Sequence, residues 1–192
     1  DAEQIYGQAE KYFQTAGDEL SVARCQYNRA NTLVQLFAFA EAEPLYRSSR
    51  DIYLKHSFKL DATDAGYGLA WLAMLRGQFH VALAGLTECE TDYKAAGQPK
   101  GATLCELDRA EVYLGLNLLT DALDAARNAE AGFRELSHRY ERSKAALFRA
   151  RAAFGLGLAK EADQAIKRAI AGFQADQNSG FLGASYLLSS QM

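Results

Sequence analysis

The residues whose types suit chemistry here are three histidines, three cysteines, a short acidic run and one glycine-containing stretch. An imidazole beside a thiol or hydroxyl makes a nucleophile and its base. Clustered thiols, imidazoles and carboxylates hold a metal. His56, His80 and His138 fall near helix ends and turns of the hydrophobic pattern, and no motif sets a Ser or Cys beside them. The cysteines show none of the zinc spacings. Glu88, Glu90 and Asp92 alternate along a helical stretch, so their carboxylates point in different directions. A calcium loop would need a glycine turn and oxygen ligands in an irregular segment. Gly155 to Lys160 has the outline of a phosphate loop, yet it lacks the Gly-Lys-Ser/Thr ending and follows no strand. The expectation is no catalytic residue, no metal ligand and no cofactor, hence a protein that binds rather than an enzyme.

What positions these residues is a repeat of forty, without insertion or deletion. Ala2, Ala42, Ala82, Ala122 and Ala162 keep the spacing. So do Phe13, Tyr53, Tyr93, Phe133 and Phe173, and Ala30, Ala70, Ala110 and Ala150. A period in this range marks stacked supersecondary units. Positions forty apart share a slot. Cys25 and Cys105 share theirs with Ala65 and Ala145, and Cys89 shares its own with Ala9, Ser49, Ala129 and Ala169. All three cysteines read as small buried fillers. Thiols used this way suit a reducing, cytoplasmic setting.

Each unit divides into two helical stretches. Ala82, Leu86, Cys89 and Tyr93 recur at the spacing of one helix face, as do Ala122, Ala126, Ala129 and Phe133. Breakers fall between the stretches, at Gly17-Asp18, Gly97-Gln98-Pro99 and Gln177 to Gly180. The pattern predicts ten helices, near 2–16, 19–37, 40–56, 61–77, 80–96, 100–117, 120–137, 141–157, 160–175 and 179–190. Pro44 is read as a first-turn residue, where its missing N–H is not needed. The expected fold is all-α, an α-α superhelix: a right-handed solenoid of antiparallel helix pairs. Residues 1–192 read as one array, with units near 1–18 (partial), 19–58, 59–98, 99–138, 139–178 and 179–192 (partial). Starting and stopping within a unit predicts a piece of a larger protein. Its terminal helices would then expose apolar surface and invite self-association.

Composition sets outer limits. Hydrophobic residues at 49% and charged residues at 23% are those of a globular chain. A net charge of −3 argues against a general nucleic-acid binder. No apolar run reaches the roughly 18 residues that span a bilayer, and no charged-then-apolar leader opens the sequence. Neither nucleic acid nor membrane is expected as a partner.

The spacing within a unit resembles the tetratricopeptide repeat. That family sets a small residue on the first helix and an Ala twelve residues on, followed at +4 and +7 by a large apolar and a small residue. Here Ala70 leads to Ala82, Leu86 and Cys89; Ala30 leads to Ala42, Tyr46 and Ser49; Ala150 leads to Ala162, Ile166 and Ala169. The turn pattern Gly77-Gln78-Phe79 fits as well. The period is forty rather than thirty-four, and Leu54, Lys94, Arg134 and Gln174 stand where the family carries proline. The chain thus looks like an elongated tetratricopeptide-like subclass. The resemblance implies a protein–protein interaction scaffold holding a peptide or protein in a concave groove. It also implies an alternative, a sensor or regulatory arm of a larger signalling protein such as a caspase-like protease, an ATPase or a transcription activator, with a small ligand as one input.

The repeat also filters for a binding face. Slots that pack should stay alike, and slots that meet a partner are free to differ. On the first helices the most varied slots are Arg24, Asn28, Asn31 and Gln35; Asp64, Gly68, Trp71 and Leu75; Leu104, Asp108, Glu111 and Gly115; and Lys144, Phe148, Arg151 and Gly155. The resemblance places this face in the groove. Its charge is banded: positive, then acidic at Asp64, Asp108 and Glu111, then basic at Lys144 and Arg151. Trp71, the only tryptophan, is the expected anchor, with Gly68 and Leu75 leaving an apolar pocket beside its ring. The competing reading is that Trp71 packs as core and the rest is a solvated face. Asn31 matches one position of the family's carboxylate clamp, but Tyr27 stands where a lysine belongs, so acidic chaperone tails are not the expected ligand.

Overall fold

The protein is described from a computed structural model covering residues 2–192; Asp1, where the first partial unit starts, lies outside the described residues. The described residues form ten helices: α1 Ala2–Ala16, α2 Glu19–Gln35, α3 Phe39–Lys55, α4 Lys59–Leu75, α5 Phe79–Ala95, α6 Pro99–Gly115, α7 Leu119–Glu135, α8 Arg139–Gly155, α9 Ala159–Ala175 and α10 Ser179–Ser189. No strand occurs among the described residues. The architecture is all-α, as the periodicity predicts.

The helices are more uniform than a forty-residue pattern requires. From α2 to α9 each is 17 residues long. Every joint places one residue at positive φ: Gly17, Phe37, Ser57, Gly77, Gly97, Asn117, Ser137, Gly157 and Gln177. The α2–α3 joint shows the mechanism. Phe37 N–H donates to Val34 O at 3.0 Å, and Ala38 N–H donates to Leu33 O at 2.9 Å. These two bonds make a Schellman cap, and Ala38 is already the N-cap of the next helix. The backbone therefore repeats every twenty residues. Side chains double that period by alternating between first and second helices.

This explains where expectation and structure part. The stretches read as ending at 37, 117 and 137 stop two residues earlier, because those residues carry the left-handed joint. Hydrophobic periodicity runs through them: Phe37 looks like one more helical residue, yet it has φ 59° and is 81% exposed. Pro44 also needs correction. It is the sixth residue of α3, and Ala42 N–H already bonds Ala38 O at 3.1 Å. Pro44 thus sits in the second turn, and the exposed Ala40 carbonyl loses its helical donor to water.

The chain divides into two compact units, Asp1–Ala96 with α1–α5 and Gly97–Met192 with α6–α10. Within each, consecutive helices pack side by side, and such short joints make them antiparallel. In the first unit Ala30, Leu33, Val34, Ala42, Tyr46 and Leu72 form one core, and Ala23, Tyr53 and Ala62 another. In the second unit Leu107, Ala110, Ala126, Ala129, Phe133 and Phe148 form the core across α6–α8. Ala146, Leu147, Ala150, Ala165, Ile166 and Phe173 continue it between α8 and α9. The three predicted filler cysteines are all buried. Helices α2 and α4 come into contact while α3 and α5 do not; likewise α6 meets α8 while α7 and α9 stay apart. First helices therefore converge on one side of each unit, and second helices splay on the other.

Candidate functional site

The converging side carries the face singled out from the sequence. In the first unit it is braced from behind by tyrosines of the second helices. The Tyr46 hydroxyl donates to Asn31 Oδ1 at 2.5 Å, and the Tyr93 hydroxyl donates to Asp64 Oδ1 at 2.6 Å. Tyr27 meets Tyr46 edge-on at 5.9 Å. Burial raises both phenols above their ordinary range, so neither ionises. Burial also raises the Asp64 carboxyl, against the lowering effect of the Tyr93 bond. Arg24 and Gln35 are exposed, and Asn28 is half-buried. Trp71 is half-buried and leans on the core around Leu72 and Tyr46, with Leu75 exposed a turn later. Trp71 thus packs one flank on the core and keeps part of its surface accessible.

The expected apolar pocket beside Trp71 is absent. Gly68 is buried beneath Tyr46, and a Cβ there would lie 2.5 Å from the ring. The glycine exists to admit that ring, so its space is already filled.

In the second unit the face is largely self-satisfied. Glu111 on α6 pairs with Lys144 on α8 at 2.9 Å, and the Lys144 ammonium lies 5.2 Å from the Phe148 ring centre. Phe148 and Asp108 are buried, and Leu104 packs against the core. Arg151 is exposed. Two of the bands, acidic Glu111 and basic Lys144, thus neutralise each other.

The splayed sides hold grooves that the sequence reading missed. In the first unit a cavity of about 1010 Å³ runs between α3 and α5, with small residues of α4 (Ala62, Gly66, Ala70, Ala73) in its lining. At 3.6 residues per turn it lies on the opposite side of α4 from Trp71. Arg50 on α3 bridges it to Glu88 on α5 at 2.7 Å, and Arg76 pairs with Glu43 at one end. In the second unit the same slots enclose only about 220 Å³ between α7 and α9. Arg127 there makes a two-pronged bond to Glu161, at 2.9 and 2.6 Å. Glu161 is held down to about 2 by the hydrogen bonds from Arg127 and Arg149. A signal existed in the sequence: slots 50, 54, 62, 69 and 88 differ from their counterparts eighty residues on, while Arg47 and Arg127 keep theirs. These slots lie on the second helices and on the opposite side of the first helix from the candidate face.

The residues suited to chemistry are dispersed. His56 hydrogen-bonds Glu19 at 2.6 Å on an exposed edge. Burial pushes the Cys89 thiol up to about 12 and raises Cys25, which removes the thiolate a nucleophile needs. No group of three or more His, Cys, Asp or Glu gathers as a metal site among the described residues. No helix among them is long and apolar enough to cross a membrane.

Solved structures place this architecture. Aspartyl phosphate phosphatase F from Bacillus subtilis superposes with a TM-score of 0.89 at 15% identity, over 97% of this chain and 49% of that one. BtubC (BKLC) from P. vanneervenii gives 0.76 at 15% identity, over 98% of this chain and 82% of that one. The kinesin light chain TPR-like repeats from Podosopora anserina give 0.65 at 15% identity, over 92% and 96%. At such identities the likeness is one of fold, and the fold is that of tetratricopeptide-like helical repeats. The chain spans about half the length of the phosphatase. No protein-family model and no curated protein matches the sequence.

Proposed function

We propose that this chain is a non-catalytic interaction module that holds a polypeptide segment of a partner on the converging face of its first helices. The observation that carries this reading is Trp71. It is half-exposed on the same face as Asn31 and Asp64, whose side chains are held by Tyr46 and Tyr93, so an aromatic anchor accompanies a fixed polar frame. In the first unit the contact residues are Arg24, Asn28, Asn31, Gln35, Asp64, Trp71 and Leu75. In the second unit, taken by itself, the candidate contact residues are Glu111, Lys144 and Arg151, while buried Asp108 contributes through packing. The test uses peptides selected on the chain from a random display library, with the fluorescence of Trp71 as readout. The expected result is saturable binding that weakens at least tenfold in a folded Trp71→Ala variant. Selected peptides that bind this variant as tightly as the wild type would sink the reading.

A second reading makes the array a regulatory arm of a larger protein. It is supported by the match to about half of the phosphatase chain. Expression of the full-length gene product with and without the Trp71→Ala change separates the two. A regulatory arm predicts an altered activity elsewhere in that product, and a simple module predicts none.

A further inference from the structure

The small groove of the second unit stands out by its charge. Arg127 and Arg134 reach it from α7, Arg142 and Arg149 from α8, and Arg168 from α9, beside Glu130. Three of these arginines are engaged. Arg149 and Arg168 both bond Glu130, at 3.0 and 2.7 Å. Arg127 and Arg149 share Glu161, and Arg127 also meets Asp124 at 3.2 Å. Arg134 and Arg142 have no ion-pair or hydrogen-bond partner among the described residues. Five guanidinium groups thus face three carboxylates, which leaves two positive charges in one concavity of a chain whose net charge is −3.

Converging like charges are unfavourable until an anion joins them. The two unengaged forks flank the α7–α8 joint, Arg134 in the last turn of α7 and Arg142 in the first turn of α8. Guanidinium forks match the oxygens of phosphate two at a time. A phosphate monoester carries about −1.5 to −2 at neutral pH, which fits the excess of two charges better than one carboxylate does. Size narrows the choice further. The cavity of about 220 Å³ far exceeds the ~30 Å³ of one water, yet falls below the ~300–1,000 Å³ of pockets for whole small molecules. It has room for one phosphoryl group with its water.

We propose that this groove binds a phosphate monoester dianion, with Arg134 and Arg142 as direct ligands and Arg149 and Arg168 held in place by Glu130. The phosphoryl group is either free or carried on a serine or threonine of a partner. Calorimetry on the full chain separates these sources, using inorganic phosphate, a phosphoserine peptide and its unphosphorylated form. The expected result is saturable binding of one or both phosphorylated probes, weaker at higher salt. Comparable affinities assign a free phosphate group, and a peptide at least tenfold tighter assigns a phosphorylated partner. The paired change Arg134→Gln with Arg142→Gln should weaken binding at least tenfold, and Lys100→Gln on exposed α6 surface should not. If the paired variant melts early, Arg134→Lys serves instead; it keeps the charge, loses the fork and should cost at least fivefold. The proposal is overturned by absent binding of both phosphorylated probes or by undiminished binding in these variants. It is equally overturned if a glutamate-rich peptide matches the phosphopeptide, or if single-stranded RNA binds more tightly than either probe.

Discussion

The grooves of the two units occupy the same slots of the repeat and differ in almost every side chain that lines them. Where the first has Leu54, Ala62 and Leu69, the second has Arg134, Arg142 and Arg149. The bridge across the groove is charge-reversed: Arg50–Glu88 in the first becomes Glu130–Arg168 in the second, at 2.7 Å in both. The backbone is the same, with 17-residue helices and identical joints. Side chains alone decide whether the gap between splayed second helices is an open trough with an apolar floor or a small cationic pocket. The cores behave alike. Tyr46 over Gly68 in the first unit corresponds to Ala126 and Phe148 in the second, so bulk moves from the second helix to the first while the gap stays filled.

The comparison breaks most readily at Glu130. Its side chain is only 9% exposed and compensates Arg149 and Arg168 together. Glu130→Ala should cost about 3 kcal/mol in urea unfolding, since it strands two partly buried charges. A loss under 1 kcal/mol would mean that the arginines are solvated. Gly68→Ala comes next, at about 1–3 kcal/mol, because the added methyl drives into the Tyr46 ring. Adding Tyr46→Leu, the residue type of the equivalent Leu86, should recover part of that loss in thermal melts.

Acid gives a smaller effect, read most directly in the second groove. The Glu161 carboxyl is lowered from 4.5 to about 2. The stability it contributes is complete above pH 4.5 and is lost as pH falls through about 2. Amide exchange in α9 should therefore accelerate between pH 4.5 and 2. Glu161→Gln should flatten that dependence and cost roughly 1–2 kcal/mol at neutral pH. The least effect belongs to Glu88→Ala, which removes the reversed bridge of the first unit. Both partners are substantially exposed, so the change should stay within about 0.5 kcal/mol by the same urea assay.

The helices were legible because alanine and aromatic slots keep a strict period: Ala82 to Tyr93 traces one face in sequence and in space. The joints were less so. Phe37, Asn117 and Gln177 adopt positive φ without being glycine, since the Schellman bonds on either side over-determine the turn. The candidate face was half legible. Trp71, Arg24 and Arg151 do reach outward. The rule that varied slots face a partner fails at Gly68 and Phe148, which vary because a matching slot on another helix varies with them. Such compensation is a property of pairs, and single columns of a repeat do not reveal it. The same holds for Glu130 and Arg50, whose reversal makes sense only beside Arg168 and Glu88.

The uniform joints bear on how a chain of this kind can change length. Twenty residues inserted at any joint would meet a backbone already shaped to receive them. Every later helix would then trade places: those that converge would splay, alanine-lined faces would open to water, and groove arginines would turn inward. Forty residues restore each face to its side. The smallest tolerated insertion or deletion is therefore a helix pair, although the smallest backbone module is a single helix with its joint.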